Sequence, residues 1–241
     1  MTLVEIRSSI ELPARREQFT LHTSDGQELV AELALPVSER PVATLICLHP
    51  LPTHGGYMDS HIMRKAANRL PALASVAVLR FNTRGTGSPQ GTSTGSFDGG
   101  VSEKHDLEAA VAWAKERGLP NLWLLGWSFG TELALKYGVN QPIEGAILLS
   151  PPLHRANQAD LMAWNGVAKR VVGLIPEFDD YLQPEAARVA FASMPKFEQV
   201  DVAGAKHLWV GEDATTRVLN EIVRVVAPQS YPLPVVYNLP N

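Results

Sequence analysis

The sequence predicts an α/β domain, with a mostly parallel central sheet of about eight strands, helices on both faces and a minimal cap. Three observations carry that reading. Strand-like and helix-like stretches alternate from residue 19 onward, the pattern of a parallel sheet wrapped by its own crossovers. Short apolar runs recur, as strands covered on both faces require. The pentapeptide Gly126-Trp127-Ser128-Phe129-Gly130 lies where an apolar run passes directly into a helix-compatible stretch.

The elements follow in order. Phe19-Thr20-Leu21-His22-Thr23 alternates, Asp25-Gly26 signals a turn, and residues 29–35 return, which reads as an antiparallel hairpin. Buried strands are expected at residues 42–48, 76–81, 122–125 and 145–149, and residues 170–175 and 197–202 continue the series. Helices are expected near residues 60–70, 103–117, 129–138, 184–193 and 213–226. In the clearest of them, Leu107, Ala110, Val111 and Ala114 form one apolar stripe. The chain thus divides into an N-terminal extension (1–18), an α/β domain (19–227) whose residues 151–169 form the cap, and a proline-rich tail (228–241). The tail is expected to be extended. Whether it packs on its own body or on a second copy is open, and a homodimer stays open with it.

Composition narrows the function. A length of 241 residues suits one domain with a sizeable core, and 45% apolar with 19% charged residues is ordinary for a folded protein. A net charge of -4 leaves no basic footprint for nucleic acid and no polybasic patch for a membrane surface. The N-terminus lacks a basic segment followed by an apolar one, and no apolar run approaches a membrane span, so a cytoplasmic location is expected. The lone cysteine, Cys47, lies in an apolar run and reads as a small core residue. Histidine and cysteine spacing offers no zinc pattern, and no metal or organic cofactor is expected.

The chemistry is concentrated around Ser128. A strand entering a helix through G-x-S-x-G turns so sharply that the serine is held exposed at the carboxyl edge of the sheet, a nucleophile elbow. A serine hydroxyl is a weak nucleophile at neutral pH, so it needs a base and an acid that orients the base. In this arrangement both come from loops after later strands, in the order Ser, Asp, His. Asp179 and Asp180 follow one such strand and His207 follows the next. His207 is the candidate base. Asp179 is preferred to Asp180 because it lies nearer the strand edge.

An oxyanion formed there needs backbone donors. Phe129 supplies one N–H, and in the loop His49-Pro50-Leu51-Pro52 the prolines cannot donate, which leaves Leu51 as the second. Neither His49 nor His54 is assigned to proton transfer. The glycine-rich segment at residues 81–91 lacks the Gly-Lys-Ser/Thr ending of a phosphate loop, and Arg84 within it is expected to brace the site against Asp98, Glu103 or Asp106. From the cap, Leu153, Leu161, Met162 and Trp164 are read either as an apolar substrate wall with Trp127 and Phe129 or as core. The candidate substrate contacts are therefore Trp127, Leu153 and Trp164.

His49-Pro50-Leu51-Pro52, Gly55-Gly56, the run from Arg80 to Gly87, Phe97-Asp98-Gly99-Gly100, the elbow at Ser128, Asp179 and His207 together resemble the α/β-hydrolase superfamily, and most closely its short, lidless bacterial members. The likeness extends from about residue 19 to residue 227. It implies the α/β-hydrolase fold and acyl transfer to water on a small-molecule acyl substrate. Leu51, Pro176 and Pro89 depart from the pattern, and Ser128 stands where dienelactone hydrolases typically carry cysteine. The expected activity is that of a carboxylesterase. A peptidase or thioesterase with the same residues, and a hydrolase-fold protein that binds without turnover, are the alternatives.

Overall fold

The computed structural model describes residues 2–7 and 9–239, so residues 1 and 8 of the expected extension and 240 and 241 of the tail lie outside the described residues. Strand β1 (Thr2–Glu5) precedes the hairpin of β2 (Arg15–His22) and β3 (Glu28–Leu35). Strand β4 (Ala43–Leu48), helix α1 (His61–Ala74) and strand β5 (Val76–Phe81) follow, and then two short strands, β6 (Gly87–Ser88) and β7 (Gly91–Thr92). Helix α2 (Glu103–Glu116), strand β8 (Leu122–Trp127), helix α3 (Phe129–Tyr137) and strand β9 (Gly145–Leu149) form the middle of the chain. Helix α4 (Gln158–Ala163), strand β10 (Arg170–Phe178), helix α5 (Pro184–Ala190), strand β11 (Phe197–Lys206), helix α6 (Glu212–Val226) and strand β12 (Val236–Leu239) complete it.

Eight strands form the main sheet in the order β11-β10-β9-β8-β4-β5-β3-β2. The β2–β3 and β3–β5 pairs are antiparallel and the rest are parallel. Alternation along the central strands sorts side chains into two cores. On β8, Leu122 and Leu124 face the layer of α2, α3, α4 and α5, whereas Trp123, Leu125 and Trp127 face α1 and α6. On β4, Ile46 and Leu48 join the first layer, and Leu45 and Cys47 the second. Each fully buried aliphatic side chain in these layers contributes about 1.5–3 kcal/mol. Both layers hold β8 rigid, and the carboxyl end of β8 carries Ser128.

Strand β2 starts at Arg15, four residues inside the stretch read as an extension, with Arg15 paired to Leu35. Its first residues, Arg-Arg-Glu-Gln, are polar because β2 is an edge strand, so they show no apolar run. The tail packs on its own chain. β12 pairs antiparallel with β1, from Thr2 opposite Leu239 to Glu5 opposite Val236. Among the described residues no helix is long and apolar enough to cross a membrane.

Arg84 fastens the loop after β5. Its Nε and Nη2 donate to Asp106 Oδ1 at 3.0 and 2.7 Å, and its Nη1 donates to Asp25 Oδ2 at 2.7 Å. Asp106 was one of three expected partners, and Asp25 in the hairpin turn is an addition. Asp106 is fully buried, so losing the arginine would strand a buried carboxylate, a change that costs about 3–5 kcal/mol in comparable pairs.

Candidate active site

The elbow explains its own sequence. Ser128 adopts φ 51° and ψ -116°, in the left-handed region, between the end of β8 and the start of α3. A Cβ on Gly130 would lie 1.9 Å from the Leu48 carbonyl oxygen, and one on Gly126 would lie 2.6 Å from that of Gly130. Both positions therefore admit only glycine. The Ser128 N–H donates to Leu149 O at 2.9 Å, and Thr131 Oγ1 donates to Ser128 O at 2.6 Å, so the strained turn is fixed from both sides.

His207 enters from the turn after β11. Its Nε2 accepts from Ser128 Oγ at 3.0 Å, and its Nδ1 donates to Asp179 at 2.9 Å (Oδ2) and 3.2 Å (Oδ1). A carboxylate can only accept, so this contact places the proton on Nδ1 and leaves Nε2 free to receive the serine proton. Asp179 Oδ1 also accepts the N–H groups of Tyr181 (2.9 Å) and Leu182 (3.2 Å). Burial works to raise the Asp179 carboxyl, but the hydrogen bonds from His207 and Tyr181 prevail and hold it below the usual carboxylate range. Asp180 is exposed, and among the described residues it makes no hydrogen bond to the ring. The pairing of β10 with β11 shifts register between Pro176 and Phe178, just before the buried Asp179.

The loop after β4 is anchored by His49. Its Nδ1 donates to Pro50 O at 2.7 Å, and its Nε2 accepts the Thr83 N–H at 3.0 Å. Burial lowers its pKa to about 4, so it is neutral and structural. Leu51 and Phe129 both line the cavity beside Ser128, and among the described residues neither backbone N–H is bonded to an acceptor. Two unpaired donors next to the hydroxyl are what a developing oxyanion needs.

The cavity holds about 680 Å³. Of the three expected substrate contacts, only Trp127 lines it. Trp127 is otherwise buried, and its Nε1 donates to His207 O at 3.1 Å. Trp164 is a correction: it is 2% exposed and its Nε1 donates to Leu135 O at 2.9 Å, so the ring packs beneath α3 as core. Leu153 is also corrected, being half-buried against the same core layer, and Pro152, His154 and Arg155 line the cavity instead. The cause is helix α4, which packs its buried Leu161 against the body and leaves Met162 outside. Glu132, fully buried on α3, secures this wall by accepting the backbone N–H of Arg155 and that of Ala156 (3.3 Å).

Tyr181 is a cavity residue the sequence reading missed. Its ring meets His207 edge-on with centroids 4.8 Å apart. Its position directly after Asp179-Asp180 was the available signal. Among the described residues no group of three or more His, Cys, Asp or Glu side chains is arranged to hold a metal ion.

Sheet order and elbow are those on which hydrolases of the α/β type are built. The sequence agrees: residues 45–234 match the alpha/beta hydrolase family, and the chain belongs to it. XC6422 from Xanthomonas campestris, an a/b serine hydrolase without a lid, has a similar structure, with TM-score 0.73, 26% identity and coverage of 90% of this chain and 98% of that one. An alpha-beta serine hydrolase homologue from Coxiella burnetii gives TM-score 0.73 at 25% identity, over 88% and 97% of the two chains. The Pyrococcus furiosus esterase Pf2001 shares the fold at TM-score 0.69 and 19% identity, over 89% and 94%. The uncharacterized protein RP471 of Rickettsia prowazekii (strain Madrid E) is 34% identical over 124 residues, which are 50% of this chain. The match spans about half the length of that curated relative, 49%.

Proposed function

We propose that the chain is a serine hydrolase that cleaves a carboxylic ester of a small acyl substrate through an acyl-enzyme. The unbroken contact from Ser128 Oγ through His207 to Asp179 carries this reading. His207 Nε2 takes the Ser128 proton as Oγ bonds to the ester carbonyl carbon, and the tetrahedral anion is held by the N–H groups of Leu51 and Phe129. The C–O bond to the alcohol then breaks, and His207 returns the proton to that oxygen. Water repeats the sequence on the acyl-enzyme, releasing the acid and restoring Ser128. Asp179 keeps the imidazole in the Nδ1–H tautomer and stabilises it when charged. Each step uses only side chains, backbone N–H groups and water.

Membership of the alpha/beta hydrolase family and likeness to XC6422 support the reading. The cavity, edged on the cap side only by Pro152, His154 and Arg155, favours short or medium acyl groups. A fluorophosphonate probe tests it: the native protein should be labelled, with labelling lost in Ser128→Ala and nearly lost in His207→Ala. An unlabelled, folded native protein would overturn the proposal. Rates on p-nitrophenyl esters, aminoacyl amides and acyl-CoA thioesters then separate an esterase from a peptidase or thioesterase.

A further inference from the structure

We propose that the substrate carries a second, negatively charged group, of carboxylate type, and that Arg64 binds it in the wall of the cavity that holds Ser128. The inference rests on the hydrolase reading of Ser128 and names the substrate class of that site.

Two cationic side chains line the cavity, Arg64 and Arg155. Arg155 is already engaged, with Nη1 donating to Glu132 Oε2 at 3.1 Å. On α1, Lys65 (3.4 Å) and Arg69 (2.6 Å) are both paired with Glu212. The carboxylate in the cavity wall, Asp59, is held by Arg80 and by Gln90 Nε2 at 2.6 Å. Among the described residues the Arg64 guanidinium has no ion pair and no side-chain hydrogen bond, although it lies in a region where its cationic neighbours are neutralised.

Space leads to it. A second hollow of about 380 Å³ is lined by His61, Arg64 and Lys65, and it shares His61 and Arg64 with the first. Ser128 and Arg64 therefore line one cavity, with Trp127 and His61 also in its wall. His61 supplies no competing charge. Its Nε2 donates to Leu208 O at 2.7 Å, and burial, with Lys65 and Arg64 nearby, keeps it neutral at pH 7. A guanidinium presents a planar fork of donors that matches a carboxylate. The same charge repels a second cation.

Two matched ester pairs test the proposal at pH 7. In one the carboxylate lies on the acyl chain, the p-nitrophenyl monoester of glutarate against p-nitrophenyl valerate. In the other it lies on the alcohol, acetoxybutyrate against butyl acetate. In at least one pair kcat/KM should favour the anionic member by about tenfold, the effect of one partly screened charge-assisted hydrogen bond. That ratio should fall to near one in Arg64→Gln, recover in part in Arg64→Lys, and shrink in high salt. Arg64 is exposed, so melting curves should show the variants folded. If no ester is turned over, protection of Ser128 from the fluorophosphonate by glutarate but not by glutaramide reads the same preference. Ratios near one in both native pairs, a preference that survives Arg64→Gln, or equal protection would overturn the inference while leaving Ser128 labelling and the hydrolase reading intact. A native protein that takes no label removes the hydrolase reading and this inference together.

Discussion

The indole N–H of Trp127 donates to the carbonyl oxygen of His207 at 3.1 Å, so the residue before the elbow serine holds the backbone of the residue that hydrogen-bonds that serine. Ser150 Oγ donates to the same oxygen at 3.3 Å. Trp127 is thus a positioning residue, even though its ring edges the cavity. Trp127→Phe keeps the packing and removes the bond. We expect kcat to fall by about tenfold with little change in KM, and stability to fall by about 1 kcal/mol in urea melts. An unchanged kcat would show that the bond is only structural.

Asp179 and Asp180 differ in one respect that matters: only Asp179 touches the imidazole. Asp179→Asn should lower kcat by about a thousandfold or more, because the amide no longer enforces the Nδ1–H tautomer. Asp180→Asn should stay within about twofold. Steady-state rates on one ester decide between them.

Gly130 lies where an added Cβ would meet the Leu48 carbonyl oxygen at 1.9 Å. Gly130→Ala must therefore push α3 away from β4. We expect a loss of about 2–4 kcal/mol, visible as a lowered melting temperature, together with lost fluorophosphonate labelling.

His49 and Glu103 set opposing responses to pH. Burial lowers the folded pKa of His49 from 6.5 to about 4. The unfolded chain therefore takes up that proton first, and the stability His49 contributes above pH 6.5 is lost as pH falls toward 4, a span of about 3 kcal/mol. Burial, with Asp98 close by, raises Glu103 from 4.5 to about 7, so its contribution is present below pH 4.5 and is lost as pH rises to about 7. Between pH 4.5 and 6.5 the two largely offset each other. Urea melts should show His49→Gln losing stability as pH rises and Glu103→Gln losing it as pH falls.

The parallel core of the sheet was legible because β4, β5, β8 and β9 are buried on both faces and therefore mostly apolar, with Thr44 and Arg80 as exceptions. Ser128, Asp179 and His207 were legible because each stands at a strand end in a fixed chain order. Other features depend on contacts that no local pattern encodes. Leu153 and Trp164 flank the short helix α4, whose facing is decided by α3 rather than by its own periodicity. The β1–β12 pair joins residues from opposite ends of the chain, and the polar start of β2 hides an edge strand. The open charge on Arg64 appears only once every neighbouring carboxylate has been matched to its cation.

The position of the three groups across the sheet sets the order in which the site fails on heating. Ser128 ends a central strand with neighbours on both sides, whereas Asp179 and His207 hang from β10 and β11, and β11 is the outermost strand on that flank. Fraying begins at sheet margins, where fewer backbone bonds must open. On the proposed hydrolase reading, a gently warmed sample would become inert while most of its tertiary circular dichroism persists, its serine still in place but deprived of its proton acceptor.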